Sequence, residues 1–156
     1  MNIIMIIILF LDQITKFLAT KLLKGNESIH LIRKFLNFTY VENRGAAFGI
    51  LEEKKIFFIL TTIIIVFLLI TALIYYRKTM TKKFEISLKL IMVGSIGNLI
   101  DRILNSYVID FIDIKFGGLY DFPVFNIADI SIVIGTILLM YLILTDKLEK
   151  EEDIFE

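Results

Sequence analysis

The sequence predicts an all-α membrane protein of four transmembrane helices with a small extracytoplasmic β-sheet. Hydrophobic residues make up 57% of the 156 residues, compared with roughly 45–50% in ordinary soluble domains. They are concentrated in four long runs, and each run is long enough to cross the hydrocarbon core of a bilayer. The chain has the length of one domain, so we expect residues 1–156 to form a single membrane-embedded unit.

The four predicted spans differ in how clearly the sequence marks them. The first has 22 residues, about 33 Å of helix, which matches the bilayer core. It lacks the basic leading region and the small-residue cleavage site of a cleaved signal peptide, so we expect a permanent span. The second contains no charge, whereas the third is less apolar. The predicted spans are residues 2–23, 56–76, 86–103 and 127–145.

Two larger segments, residues 24–55 and 104–126, connect the spans and are predicted to be extramembrane loops. Apolar and polar residues alternate over residues 36–40, which is the pattern of a short strand. The glycines of residues 45–49 predict irregular backbone beside that strand. The mixed-charge tail from Asp146 is predicted to be a frayed helix end in water.

The distribution of cations predicts the topology. Four Lys and Arg residues fall within residues 77–83, the short loop between the second and third spans. Such a cluster marks the cytoplasmic side by the positive-inside rule. Four spans then place both termini in the cytoplasm, and both larger loops outside the cytoplasmic membrane.

Composition excludes several classes of function. The formal net charge is zero and the basic residues form no stripe, so nothing indicates nucleic-acid binding. The absence of cysteine removes disulfides, thiolate metal sites and cysteine nucleophiles. The only histidine, His30, lies in a predicted loop, which disfavours a histidine zinc site and a Ser-His-Asp triad. We expect it to be a solvated side chain.

Charged and amide side chains inside the apolar runs are expensive at membrane depth and tend to be functional. Asp12 and Lys16 are four residues apart and share a helical face. They could form a structural ion pair, extend to the interface, or position a site. Asn98, Asp101 and Arg102 also share a face, where Arg102 could tie the helix end to a loop through carboxylates or carbonyls.

Two aspartates are candidates for chemistry. Asp110 follows the third span and Asp129 begins the fourth, so antiparallel neighbouring helices would bring both to one membrane face. Two carboxylates in a poorly hydrated place share one proton and together supply an acid and a base. Helix capping is the alternative explanation for Asp129. Asp113 and Asp121 remain open as alternative members of the pair.

Five short blocks then occur in order along nearly the whole chain, and together they resemble the signature blocks of the lipoprotein signal peptidase family, signal peptidase II. The blocks are Asp12-Gln13-x-x-Lys16, Asn43-Arg44-Gly45-Ala46-Ala47-Phe48, Gly97-Asn98-x-x-Asp101-Arg102, Val108-Ile109-Asp110-Phe111 and Phe125-Asn126-Ile127-Ala128-Asp129.

The resemblance implies an aspartic endopeptidase of the bacterial cytoplasmic (inner) membrane that works without metal or cofactor. It implies that Asp110 and Asp129 are the catalytic dyad, in preference to Asp113 and Asp121. It also implies a small sheet between the first two spans and a mobile segment over the site. The supporting residues it implies are Asp12, Lys16, Asn43, Arg44, Gly45, Asn98, Asp101, Arg102 and Asn126.

The implied substrates are prolipoproteins that carry a diacylglyceryl group on the lipobox cysteine, with cleavage on the N-terminal side of that cysteine. The expected partners are these substrates and the lipid bilayer, and the expected state is a monomer. A small ion-coupled transporter is the alternative, with Asp12, Lys16, Asp101 and Arg102 as its coupling site. We find no internal repeat of the kind that many transporters show. A purely structural membrane subunit, which would not require Asp110, is a third possibility.

Overall fold

In the computed structural model, residues 3–33, 35–45, 54–116 and 122–149 are described. They form four helices and one three-stranded antiparallel sheet. This confirms the predicted combination of helices with a small sheet. The helices are α1 (Ile3–Leu23), α2 (Lys55–Tyr75), α3 (Lys82–Asn105) and α4 (Ile127–Leu144). The strands are β1 (Ile29–Ile32), β2 (Leu36–Asn43) and β3 (Val108–Ile114).

Three of the helices in the described ranges, α1, α2 and α4, are long and apolar enough to cross a membrane. Their bounds agree with the predicted spans to within a residue at each described end. By contrast, α3 is longer than the predicted 86–103. It begins after Thr81, whose hydroxyl accepts a hydrogen bond from Phe84 N at 3.3 Å. It ends at Asn105, because the left-handed backbone of the C-cap Ser106 (φ 74°) stops the helix.

The bundle is arranged around α3, which packs against each of the other three helices. No residue between positions 87 and 102 is exposed, whereas α2 contains no buried residue. The α3–α4 contact is close because glycines lie in it. A Cβ at Gly135 would lie 2.8 Å from Ser87 O, and one at Gly94 would lie 2.3 Å from Ala128 O.

The sheet has the order β1-β2-β3. The strand predicted at residues 36–40 is confirmed as part of β2. We did not predict β1 or β3, so His30 and Asp110 lie in strands where we expected loops. The alternation of β3 is broken, because its two aspartates are three residues apart. That spacing does not fit the period of two by which a half-buried strand is recognised.

The outer edge of β3 is bonded to the helices rather than left open. Ile109 N donates to Asp101 Oδ2 on α3 at 3.1 Å. Further along the strand, Phe111 N and Ile112 N both donate to Phe125 O, at 3.1 and 2.8 Å. The strand that carries Asp110 is therefore fixed to α3 and to the segment that leads into α4.

An apolar cluster closes each end of the molecule. Ala19, Leu23, Ile109 and Phe111 join α1 to the sheet. At the opposite end, Leu148 packs against a cluster of Met80, Phe84, Leu88 and Leu142. Thr81 N also donates to Leu148 O at 2.9 Å. The prediction of a frayed tail is therefore wrong for residues 146–149, because an apolar contact and a backbone hydrogen bond hold them.

Candidate active site

Asn126 connects the two candidate catalytic aspartates. Its side-chain Nδ2 donates to Asp110 Oδ1 at 2.6 Å, and its backbone N donates to Asp129 Oδ2 at 3.1 Å. In return, Asn126 Oδ1 accepts a hydrogen bond from Asp129 N at 2.9 Å. Asn126 is thus the N-cap of α4 in a capping box with Asp129. The predicted capping by Asp129 is confirmed, and the same asparagine also binds Asp110.

The second oxygen of each carboxylate is held by another asparagine. Asn43 Nδ2, at the end of β2, donates to Asp110 Oδ2 at 2.9 Å. Asn98 Nδ2, on α3, donates to Asp129 Oδ1 at 2.7 Å. Three amide side chains from three separate elements therefore fix two carboxylates. Such donors favour the ionised form of the group that accepts them.

Burial works against these donors at Asp110, which is 1% exposed. Burial, followed by the negative charge of Asp129, raises the pKa of Asp110 to about 7, although Asn43 and Asn126 oppose the shift. An aspartate in water has a pKa near 3.9 and is ionised at neutral pH. Asp110 can therefore hold or release a proton close to neutrality, as a general acid or base must.

A buried lysine lies behind the two carboxylates. Lys16 Nζ is 2.9 Å from Asp12 Oδ2 and 3.0 Å from Asp101 Oδ2, and it donates to Asn98 Oδ1 at 3.0 Å. The predicted Asp12–Lys16 ion pair is confirmed. The interpretation that these residues extend to the interface is wrong, because each is only 1% exposed.

The two acidic partners of Lys16 each bind backbone beside one candidate catalytic residue. Asp12 Oδ1 accepts from Ala128 N at 2.9 Å, next to Asp129. Asp101 Oδ2 accepts from Ile109 N at 3.1 Å, next to Asp110. One cation thus organises the backbone on both sides of the site.

Gln13 belongs to this network, and we did not include it among the candidate site residues. Its Nε2 donates to Asp12 Oδ2 at 3.1 Å and to Gly97 O at 3.3 Å. The close approach of α1 to α3 at this point needs a glycine, since a Cβ at position 97 would lie 2.7 Å from Asp12 Oδ2. The clue in the sequence was that Gln13 is a polar residue beside Asp12 inside an apolar run.

The arginines behave differently from each other. Arg102 Nη2 donates to Gly45 O at 3.4 Å, and its guanidinium lies 4.9 Å from the centre of the Phe58 ring. The predicted tie from the helix end to a loop carbonyl is therefore confirmed. The side chain of Arg44 is 60% exposed, and it pairs with Glu42 at 3.2 Å rather than with Asp110 or Asp129. Residues 46–49, which belong to the segment predicted to have irregular backbone, lie outside the described residues.

Asp113, an alternative member of the pair, lies in a separate network. Its Oδ2 accepts from Asn37 Nδ2 and from Thr39 Oγ1, both at 3.2 Å. Asn37 Oδ1 in turn lies 2.7 Å from His30 Nδ1. His30 is exposed but has a partner in the sheet. The other alternative, Asp121, lies outside the described residues.

Within the described part of the chain, no three His, Cys, Asp or Glu side chains are placed to hold a metal ion. The ammonium group of Lys16 lies where a cation between Asp12 and Asp101 would have to be. What the arrangement offers is two carboxylates that are both bonded to Asn126 and are held in fixed orientations by amides.

Comparisons with known proteins agree with this chemistry. Residues 4–145 match the family described as signal peptidase (SPase) II. The lipoprotein signal peptidase of Clostridium tetani is 45% identical over 156 residues, covering 99% of both chains. That of Staphylococcus epidermidis is 41% identical, covering 96% of this chain and 91% of its own.

Two solved structures of bacterial membrane enzymes have the same fold. One superposes with a TM-score of 0.84 at 38% identity, covering 98% of this chain and 91% of its own. The other superposes with a TM-score of 0.80 at 40% identity, covering 92% and 91%. The transporter alternative finds no support in any of these matches. The chain belongs to the signal peptidase II family of aspartic peptidases, and it is a multi-pass membrane protein.

Proposed function

We propose that this protein removes signal peptides from diacylglyceryl-modified prolipoproteins and that Asp110 and Asp129 are its catalytic dyad. Cleavage falls on the N-terminal side of the lipidated lipobox cysteine. The observation that carries the proposal is the double attachment of Asn126, which binds one oxygen of each carboxylate. The family membership of the chain supports the activity.

The proposed mechanism uses the two carboxylates in different protonation states. The ionised member takes a proton from a water molecule, whose oxygen attacks the scissile carbonyl carbon. The protonated member donates to the carbonyl oxygen and stabilises the tetrahedral intermediate. The C–N bond then breaks, and a proton passes to the amine of the lipidated cysteine. The raised pKa of Asp110, about 7, suits the part that holds the proton.

The other members of the network position the dyad. Asn43, Asn98 and Asn126 orient the carboxylate oxygens, while Asp12, Lys16 and Asp101 fix the backbone beside them. Arg102 and Gly45 tie the end of α3 to the segment after β2. In this proposal Arg44 acts at the surface, where it pairs with Glu42.

We propose that α3 also crosses the membrane, which brings the number of spans to four, although α3 is less apolar than α1, α2 and α4. Its 24 residues make about 36 Å of helix, which is longer than the bilayer core of about 30 Å. Its acidic residues pair with lysines: Glu85 with Lys89, and Asp101 with Lys16. In this proposal residues 1–156 form one domain. Because the number of spans is even and the basic loop at 77–83 is cytoplasmic, both termini lie in the cytoplasm. The sheet and the dyad then lie on the extracytoplasmic side of the bacterial cytoplasmic membrane, in a protein that works as a monomer.

The test is cleavage of a diacylated lipobox peptide by Asp110→Asn and Asp129→Asn variants in proteoliposomes. Each change removes one proton-transfer group, and we expect a loss in kcat of at least about 10²–10⁴-fold. The matched control is Asp113→Asn, which changes an aspartate of the same strand that lies in a separate network. That variant should retain most of the wild-type rate.

Cleavage at the wild-type rate by either dyad variant would exclude the dyad. Equal loss in the Asp113→Asn control would show that the assay reports damage to β3 rather than loss of chemistry. A second substrate, the same peptide without its diacylglyceryl group, tests recognition. We expect no turnover of it if the acyl chains, lying against the spans, hold the substrate in place.

A further inference from the structure

The edge strand β1 presents an apolar surface that no part of the described chain covers. Ile29, Leu31 and Ile32 are 46, 50 and 53% exposed, and Phe35 in the turn that follows is 43% exposed. His30 is the only polar residue of the strand. An exposed apolar edge strand is a site of aggregation unless something covers it, and patches of this kind mark contacts with membranes or proteins.

The position of β1 relative to α1 favours a membrane. The helix ends at Leu23, and Asn26 folds back onto it through bonds from its backbone N to Leu23 O and from its Nδ2 to Leu22 O, at 3.0 and 2.9 Å. Three further residues lead to Ile29, a distance of about 10 Å at most. The headgroup layer is about 5–8 Å thick on each side of a bilayer. With the end of α1 at the hydrocarbon boundary, the strand begins within about 10 Å of that boundary, in or just above the headgroups.

The apolar surface of β1 also continues a surface that faces lipid. The last turns of α1 expose Phe17, Leu18 and Leu22, at 58, 44 and 57%. These residues belong to a helix that is apolar and long enough to span a membrane. A bilayer that surrounds α1 is thus already adjacent to the strand.

Cations lie beside the apolar residues. Arg33 directly follows β1 and is exposed. Lys115 lies near the same turn, since its backbone N donates to Phe35 O at 2.8 Å. Its side chain is 46% exposed, with Nζ 3.8 Å from Asp113 Oδ2. Apolar residues bordered by Lys and Arg are the usual composition of a segment that lies on an anionic membrane surface.

We propose that β1 and its turn form a membrane-surface anchor in the leaflet at the C-terminal end of α1. Ile29, Leu31, Ile32 and Phe35 lie among the headgroups and the upper acyl chains, while Arg33 and Lys115 bind the phosphates of anionic phospholipids. Because β1 pairs with β2, and β2 pairs with β3, in one sheet, the anchor fixes the depth of the strand that carries Asp110.

The chain contains no tryptophan, so a single introduced tryptophan reports its own surroundings. We would place Leu31→Trp and, as a control, Glu27→Trp in nanodiscs of phosphatidylglycerol and phosphatidylcholine. Glu27 is exposed and lies two residues before β1. We expect the emission of the Leu31→Trp protein to be shifted to the blue and quenched by acyl chains brominated near the headgroup. The control should show a smaller shift and weaker quenching.

Two outcomes would overturn the anchor. Emission of the Leu31→Trp protein at the wavelength of solvated tryptophan, without quenching, would place the strand in water. A blue shift without quenching would mean that protein, such as a second copy of the chain, covers it. Cleavage of the diacylated peptide by both tryptophan variants confirms that they are folded. The anchor proposal is tested by emission and quenching, whereas the dyad proposal is tested by cleavage, so the failure of one can be told from the failure of the other.

The phosphate contacts need their own comparison. Quenching in the Leu31→Trp protein should be stronger in phosphatidylglycerol nanodiscs than in nanodiscs of phosphatidylcholine alone. Adding Arg33→Gln and Lys115→Gln should abolish that difference. If lipid charge has no effect on the parent variant, or if the difference survives both substitutions, the assignment of these two cations to lipid phosphates is wrong.

Discussion

The amine of Lys16 illustrates what a single buried charge does in this protein. It lies between two carboxylates, each of which also accepts a backbone N–H beside a candidate catalytic residue. Burying three charges is costly in itself, and a buried ion pair is therefore weak evidence of stability. Its value here is geometric, because the same three side chains set the positions of β3 and of the start of α4.

We expect Lys16→Met to destabilise the protein by about 3–5 kcal/mol, because it leaves Asp12 and Asp101 buried without a counter-charge. Thermal unfolding in detergent, followed by circular dichroism, measures the change. The matched control is Lys24→Met, because Lys24 also forms an ion pair at 2.9 Å, with Glu42, but its side chain is 51% exposed. An exposed pair contributes about 0–1 kcal/mol. Similar losses in the two variants would contradict the importance of burial.

At the scale of elements, the sequence allowed the helices and their local pairs to be predicted, because both depend on residues close together in the chain. The Asp12–Lys16 pair is set by four-residue helical spacing, and the structure confirms it. The attachment of Asn126 to Asp110 joins residues 16 apart through a strand whose alternation is broken. Spacing alone could not distinguish Asp110 from Asp113. The family resemblance favours Asp110, and the structure places Asp113 in a different network.

The contact between α3 and α4 is the element-scale feature with the sharpest test. Replacing a helical glycine by alanine usually stabilises a helix by up to about 1 kcal/mol. At Gly135 the new Cβ would lie 2.8 Å from Ser87 O and 2.9 Å from Ile91 N. Both atoms are backbone, so the helices must separate. We therefore expect Gly135→Ala to destabilise the protein by about 1–3 kcal/mol.

The measurement is again thermal unfolding in detergent. Thr136→Ala serves as the control, since Thr136 is the exposed neighbour on the same helix and its substitution should change stability by less than about 0.5 kcal/mol. A Gly135→Ala protein as stable as the wild type would show that the two helices can move apart without cost.

At the scale of the whole molecule, the position of α3 decides the topology. Hydropathy marks a helix as a span when its side chains face lipid, but α3 is surrounded by α1, α2 and α4. Its polar residues between positions 87 and 102 are not exposed, so a low apolar content does not argue against crossing. If α3 crosses, the number of spans is even and both termini lie on one side. If it does not, the termini lie on opposite sides.

The chain contains no cysteine, so single cysteines at the two ends of α3 give a direct test. Lys83→Cys and Asn105→Cys are suitable because both positions are exposed and lie at opposite ends of the helix. In intact bacteria, a membrane-impermeant maleimide should label only the Asn105→Cys protein. Labelling of the Lys83→Cys protein should require permeabilised cells, because the cations around it retain that loop in the cytoplasm. Labelling of both proteins from outside would show that α3 does not cross, and it would place the dyad and the basic loop on the same side of the membrane.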